Sequence, residues 1–230
     1  MFPIRDDNPS QSVPVVTRTL IAINVVAFLF ELSLGPDKNW FLNNWGLVPS
    51  RLMYASLGAM PLQGPVTTVL TSMFLHAGWL HLLGNMWYLW IFGDNVEDRL
   101  GRVRFTLFYL AGGIASAALH VALNPWSEIP TVGASGAIAA VLGAYAVLFP
   151  RARVVTLIPI FFFFQIVALP ALLVLGLWFV FQFFSGTFAL GSTGGGVAWW
   201  AHVGGFVAGL ALVFVMRPKR RPAATTRLRS

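Results

Sequence analysis

Long apolar stretches alternate with short polar connections along most of this chain. Each stretch is close to the length of about 20 residues that a helix needs to cross a bilayer. They cover residues 19–34, 71–92, 103–122, 133–149, 166–184 and 197–216. The strands of a membrane barrel alternate apolar and polar side chains, whereas these stretches are apolar on all sides. A helix also satisfies the requirement that backbone polar groups in lipid form hydrogen bonds within the protein. The pattern predicts an all-α polytopic membrane protein, a bundle of six transmembrane helices.

Two connections differ from simple loops. Residues 35–70 form a long connection that we expect to lie partly in the membrane interface. Residues 154–165 are apolar but interrupted by Pro159, and Pro170 follows. Proline breaks or kinks a helix, so this segment is predicted to be an interfacial piece or a kinked start of the fifth span. The first span carries Glu31 and lacks a small-residue cleavage site, so we interpret it as an uncleaved span.

Composition supports a membrane location. The chain is 57% apolar and 10% charged, whereas soluble domains are about a quarter charged. The net charge of +7 does not indicate nucleic-acid binding, because the basic residues lie in short clusters between the apolar stretches. The expected partner is the lipid bilayer. The chain has no cysteine, which excludes a thiol nucleophile.

The basic residues also predict the orientation. Thirteen of the fifteen precede the first span, follow the last one or lie in the connections on that same side, and only Lys38 and Arg51 fall on the other side. Cytoplasmic loops are enriched in lysine and arginine, so both termini should be cytoplasmic. We expect a multi-pass protein of a bacterial plasma membrane.

Polar residues occur at similar depths near the outer ends of three spans. The second span carries His76, His81 and Asn85, the fourth carries Ser135 and the sixth carries His202. Ionisable groups inside a membrane are costly and usually functional. Taken singly, each has a structural alternative: a serine can bond its own helix backbone, and a histidine can bridge two helices. Their convergence on alternate spans favours one functional site.

The spacing of the histidines separates their expected roles. His81 and Asn85 are four residues apart and share one helix face, either as donors to an oxyanion or as an interhelical hydrogen bond. His76 is expected at the rim of the same cavity. His120, near the outer end of the third span, is expected to be structural.

Small residues flank the predicted site. Gly133, Gly136, Gly205 and Gly209 are assigned to helix packing, because small residues let membrane helices approach closely. A hydrogen bond between a serine and a histidine needs such closeness, at about 2.6–3.2 Å. Generic helix packing would use the same residues.

Missing residues narrow the chemistry. No acidic residue lies in the middle of a predicted span, which argues against an intramembrane aspartyl protease and an ion-coupled transporter. The H-E-x-x-H pattern of zinc proteases does not occur. A serine with a histidine remains, and neither a metal nor another cofactor is expected.

Together the motifs resemble the rhomboid family of intramembrane serine proteases. The run 133–136 (GASG) resembles the family's G-x-S-G motif, and residues 201–209 (AHVGGFVAG) resemble its A-H-x-x-G-x-x-x-G motif. His81 and Asn85 match the family's H-x-x-x-N pair, His76 matches an additional upstream histidine, and Glu97 with Gly101 resembles its E-x-x-x-G element.

The resemblance implies a nucleophile at Ser135, a general base at His202, oxyanion donors at His81 and Asn85, and transmembrane proteins as substrates. It covers residues 62–216. Residues 1–61 precede this core, and a basic cytoplasmic tail, 217–230, follows it.

One departure and one alternative stay open. Ala139 replaces a tyrosine that packs on the catalytic histidine in some members. The alternative function is a non-catalytic rhomboid-like adaptor that binds transmembrane helices.

Overall fold

The computed structural model describes residues 1–160, 163–189 and 198–216. The helices are α1 (Val15–Ser33), α2 (Lys38–Trp45), α3 (Pro49–Ser56), α4 (Gln63–Thr71), α5 (Trp79–Leu100), α6 (Arg102–Leu123), α7 (Ser135–Leu148), α8 (Ala171–Ala189) and α9 (Trp199–Met216), with short 3₁₀ turns at Gly35–Asp37 and Ser72–Phe74. The strands are β1 (Phe2–Asp6), β2 (Arg153–Ile160) and β3 (Phe163–Pro170). The basic tail, 217–230, lies outside the described residues.

The prediction of a mostly helical membrane bundle is confirmed. Within the described ranges, α1, α6, α8 and α9 are each long and apolar enough to cross a membrane. Helix α5 joins the segment before it as a pair bent by 76°, and α7 is a shorter apolar helix. Each predicted span therefore corresponds to a helix, while six complete crossings remain a prediction.

The all-α prediction is wrong for residues 153–170. This segment forms the hairpin β2–β3, and β1 adds to it as a third antiparallel strand, with Phe2 opposite Leu157 and Asp6 opposite Val154. The fifth predicted span is therefore α8, which begins at Ala171 and not at residue 166. Proline disrupts a helix at two places in this stretch, and β-branched residues favour strands. The strand partner comes from the N-terminus, which a local pattern cannot reveal.

The sheet is attached to the side of the bundle. The Trp87 indole of α5 donates a hydrogen bond to the Pro3 carbonyl at 2.7 Å and stacks on Phe2. Asp6 accepts hydrogen bonds from the Tyr145 hydroxyl of α7 at 2.5 Å and from the Asn95 amide of α5 at 3.0 Å. The N-terminal strand therefore connects the hairpin to two central helices.

Glu97 fixes the start of α1. Its carboxylate accepts the backbone N–H groups of Val16 and Thr17 at 2.9 and 2.7 Å and the Thr17 hydroxyl at 2.8 Å. The first N–H groups of a helix have no partner within it, and the helix dipole favours an anion there. The E-x-x-x-G element thus joins α5 to α1, and Gly101 turns the chain into α6 with φ +79°.

Helix α7 lies at the centre of the bundle, in contact with α5, α6 and α9, and residues 136–146 are all buried. A Cβ on Gly205 or Gly209 would overlap the carbonyl oxygens of Gly136 or Ala140. Helices α7 and α9 therefore meet backbone to backbone.

Candidate active site

Ser135 and His202 are hydrogen-bonded to each other. Ser135 is the first residue of α7 and His202 lies in the first turn of α9. The Nε2 atom of His202 lies 2.8 Å from the Ser135 Oγ atom. His202 is buried, whereas Ser135 is partly exposed. The close contact between α7 and α9 at Gly136 and Gly205 brings the two side chains into this range.

The second ring nitrogen of His202 also has a partner. Its Nδ1 atom lies 2.7 Å from the Oε1 atom of Gln182, a buried side chain of α8. The rings of Trp178 and Trp199 lie beside the imidazole, with centroids 6.0 and 6.3 Å away. Gln182, Trp178 and Trp199 therefore surround His202.

Sequence reasoning missed Gln182. Its signal is a polar residue in the otherwise apolar run 171–184 (ALLVLGLWFVFQFF). Such a residue is expected to find a hydrogen-bond partner inside a membrane bundle, but the run does not say which one.

Asn85 and His81 line a cavity of about 650 Å³ that Ser135 and His202 also line. The Asn85 Nδ2 atom lies 2.9 Å from the His76 Nε2 atom. Because an amide nitrogen only donates, His76 accepts this bond. The Asn85 amide has a second hydrogen, and its side chain lines the cavity.

The structure corrects the expected position of His76. It is fully buried behind Asn85 and is not at the rim of the cavity. Its backbone N–H donates to the Glu31 carboxylate at 3.0 Å, and Lys38 lies 3.7 Å from that carboxylate. The prediction treated residues 71–92 as one helix, whereas the chain bends between Phe74 and Trp79 and turns His76 inward.

The role assigned to Gly133 also changes. It precedes α7 and has φ +133°, a conformation that side chains rarely adopt. A Cβ at this position would lie 2.7 Å from atoms of the His81 ring. Gly133 therefore belongs to the turn beside His81, while Gly136, Gly205 and Gly209 lie in the helix contacts.

His120 holds the loop that leads to Ser135. Its Nε2 atom lies 2.9 Å from the Thr131 hydroxyl. The same loop pairs with Leu47 through two backbone hydrogen bonds of 3.0 and 2.8 Å, and the Gly133 N–H donates to the Ser72 carbonyl at 2.8 Å. The chain before the candidate nucleophile is thus fixed from several sides.

No group of three or more histidine, aspartate or glutamate side chains is arranged to hold a metal ion within the part of the chain that the structure describes. The cavity is lined by a hydroxyl that is hydrogen-bonded to an imidazole and by an amide and a second imidazole of α5. This set is suited to acyl transfer.

Sequence comparison relates the chain to a known family. The Rhomboid domain profile matches residues 63–219. The chain is 36% identical over 132 residues to the chloroplastic RHOMBOID-like protein 9 of Arabidopsis thaliana, covering 56% of this chain and 28% of that one. It is 35% identical over 132 residues to the rhomboid protease GluP of Bacillus subtilis, covering 57% and 24%.

A mitochondrial relative gives a similar match. The chain is 30% identical over 141 residues to rhomboid protein 1 of Saccharomyces cerevisiae, covering 59% of this chain and 37% of that one. In each case the similarity spans well under half of the relative's own length.

Proposed function

Because the chain belongs to the Rhomboid family, we propose that it is an intramembrane serine endopeptidase that uses Ser135 and His202. The observation that carries this proposal is the 2.8 Å contact between the Ser135 hydroxyl and the His202 imidazole beside a cavity of the membrane bundle. A serine hydroxyl is a weak nucleophile alone and is activated by an adjacent base.

The reaction follows from the positions of these groups. His202 Nε2 accepts the proton of Ser135 as Oγ attacks the scissile carbonyl carbon. The tetrahedral intermediate collapses, the peptide C–N bond breaks, and His202 passes its proton to the leaving amine. Water then attacks the acyl ester with His202 again accepting a proton, which it returns to Ser135 as the carboxylic acid leaves.

Three donors are available for the negative charge that develops on the carbonyl oxygen. The Ser135 N–H is among the first of α7, which have no acceptor within the helix. The other two donors are the second hydrogen of the Asn85 amide and the His81 ring, whose side chains line the same cavity. Fixed donors of this kind supply a large share of the rate enhancement of acyl-transfer enzymes.

The proposed substrates are transmembrane proteins. This proposal is supported by the membrane bundle that encloses the cavity, because a polypeptide in the same bilayer has the shortest path to Ser135. A helical carbonyl is already hydrogen-bonded, and therefore the substrate must unwind locally. Segments with glycine near the site end of the bundle unwind most readily.

The proposed location is a bacterial plasma membrane with both termini cytoplasmic, which rests on the distribution of basic residues. Relatives named as chloroplastic and mitochondrial proteins occur in this family. The residues of the site do not depend on which membrane the protein occupies.

The test is cleavage of a transmembrane reporter by purified protein in liposomes. The parent should cleave it and take a fluorophosphonate label, whereas Ser135→Ala should do neither and His202→Ala should lose most of both. If folded parent protein neither cleaves nor labels in several lipid compositions, the helix-binding adaptor becomes the better explanation.

A further inference from the structure

The buried amide of Gln182 has a specific relationship to the candidate base. Its Oε1 atom lies 2.7 Å from the Nδ1 atom of His202, and the side chain is 5% exposed. It belongs to α8, whereas Ser135 and His202 belong to α7 and α9. A third helix thus reaches the catalytic pair at the nitrogen that Ser135 does not use.

The orientation of the Gln182 amide in this contact favours one position of the proton on His202. An amide oxygen accepts hydrogen bonds and cannot donate them. With the amide oxygen facing the ring at 2.7 Å, the hydrogen bond forms when Nδ1 carries the hydrogen. Nε2 is then unprotonated and directs its lone pair at the Ser135 hydroxyl, 2.8 Å away. In the other tautomer, the Gln182 amide would have to turn so that its nitrogen donates to Nδ1, and Nε2 could not accept the serine proton.

The surroundings of the ring support the same role. Trp178 and Gln182 are four residues apart, so they share one face of α8. The Trp178 ring lies beside the imidazole, and Gln182 meets its edge. Rotation of the ring is therefore opposed by packing on its side and by a hydrogen bond at its edge.

We propose that Gln182 is a positioning residue that holds His202 in the tautomer and orientation needed to accept the proton of Ser135. The proposal rests on the proposed function, since it assigns Gln182 a part in that reaction. A neutral acceptor does for His202 what a carboxylate does in a soluble serine–histidine–aspartate triad, without placing a charge among membrane helices. Gln182 acts through His202 and does not touch the substrate.

The first measurement is independent of catalysis. Nitrogen-15 NMR of the histidine side chains distinguishes the two neutral tautomers, and the chain has four histidines, so a His202→Ala spectrum assigns the signal. His202 should be protonated at Nδ1 in the parent and in Ser135→Ala. In Gln182→Met, which keeps the volume and loses the acceptor, the signal should move towards the Nε2-protonated form.

The second measurement separates positioning from folding. Gln182→Met should lower kcat and the rate of fluorophosphonate labelling on the order of 10- to 100-fold, as loss of an orienting partner does for imidazoles at metal sites. KM should change little because the substrate does not contact Gln182. Gln182→Glu keeps an acceptor and should restore activity to within a few-fold of the parent.

The controls come from the same helix. Thr187→Val removes a hydroxyl whose partner among the described residues is the Phe183 carbonyl, at 2.9 Å, and should leave kcat unchanged. Gln182→Asn withdraws the acceptor by one bond, about 1.5 Å, while keeping its polarity, and serves if Gln182→Met does not fold. It should lower kcat as Gln182→Met does.

The outcomes distinguish this inference from the proposed function. If the parent is active and folded Gln182→Met or Gln182→Asn matches it in kcat and in the His202 tautomer, Gln182 only packs and the inference is wrong. If the parent is inactive, the proposed function fails, yet the tautomer spectra still decide whether Gln182 orients His202.

Discussion

The Asp6 carboxylate accepts a hydrogen bond from the Tyr145 hydroxyl at 2.5 Å, which links the first strand of the chain to the central helix of the bundle. The two residues are 139 positions apart in sequence. The Asp6 carboxylate also accepts a hydrogen bond from the Asn95 amide, so it joins β1 to both α5 and α7.

This contact predicts a pH-dependent stability. Burial raises the pKa of Asp6 to about 6, although the Tyr145 hydrogen bond opposes the rise. Because the folded pKa lies above the unfolded value, the protonated carboxyl stabilises the fold fully below about pH 4, and this contribution is lost as the pH rises towards 6. Thermal unfolding in detergent at several pH values between 4 and 7 should show this loss in the parent.

Asp6→Asn should remove that part of the pH dependence, since the amide does not titrate. Asp37→Asn, at an exposed aspartate near the opposite end of α1, is the matched control and should keep the parent profile. Equal slopes for Asp6→Asn and the parent would show that other groups cause the dependence.

A second prediction concerns the contact between α7 and α9. Gly209→Ala would push a methyl group into the backbone of Ala140. A helix backbone cannot move aside as a flexible side chain would. Overpacking typically costs about 1–3 kcal/mol, and here it should also separate Ser135 from His202. We expect lower thermal stability and lower labelling of Ser135.

Gly176→Ala in α8 is the control, because nothing lies within 4 Å of a Cβ there. Alanine favours a helix over glycine by roughly 0.5–1 kcal/mol, so this variant should be as stable as the parent or more stable. If both variants behave alike, the glycine contact does not hold the two helices together.

A third prediction concerns the oxyanion donors. Asn85→Ala should lower kcat on the order of 10²–10³-fold, the effect of removing one such donor in a soluble serine protease. His76→Ala removes the partner that fixes the Asn85 amide and should lower kcat by less, with Ser135 and His202 intact. Steady-state cleavage and melting temperature should be measured on the same preparations.

Substrate hydrolysis separates the two possible roles of Asn85. A fall in kcat at an unchanged melting temperature supports oxyanion stabilisation. Full activity with a lowered melting temperature would mean that Asn85 serves as a structural bond to His76 and that the role proposed for it is wrong.

The parts of this fold that sequence reasoning reached are those in which the signal is local or periodic. The helices follow from long apolar stretches. Ser135 and His202 could be paired because both lie at the same depth on spans entered from the same side. The glycines of α7 and α9 predicted a close helix contact because only small residues permit one.

The parts it missed depend on distant partners or on a break in a helix. The hairpin at 153–170 is stabilised by strand β1, which lies some 150 residues earlier. Gln182 is a lone polar residue whose partner is on another helix. His76 was misplaced because the sequence marks the bend before α5 only by Gly78, and a single glycine is also tolerated inside membrane helices.

The last prediction concerns orientation, on which the accessible side of the site depends. At the helix ends opposite Ser135, Arg99 and Arg102 flank the turn between α5 and α6, and Arg151 and Arg153 follow α7. Lys38 and Arg51 lie towards the end that carries the site. Positively charged connections stay in the cytoplasm, so Ser135 and His202 should lie near the outer face. A phosphatase reporter that is active only outside the cytoplasm should therefore be active when inserted within residues 123–131 and inactive when fused after Ser230. A green fluorescent protein that matures only inside should give the reverse pattern. If the phosphatase were active at the C-terminus and inactive in the loop, the cavity would open towards the cytoplasm, and substrates would have to present their cleavable segment on that side.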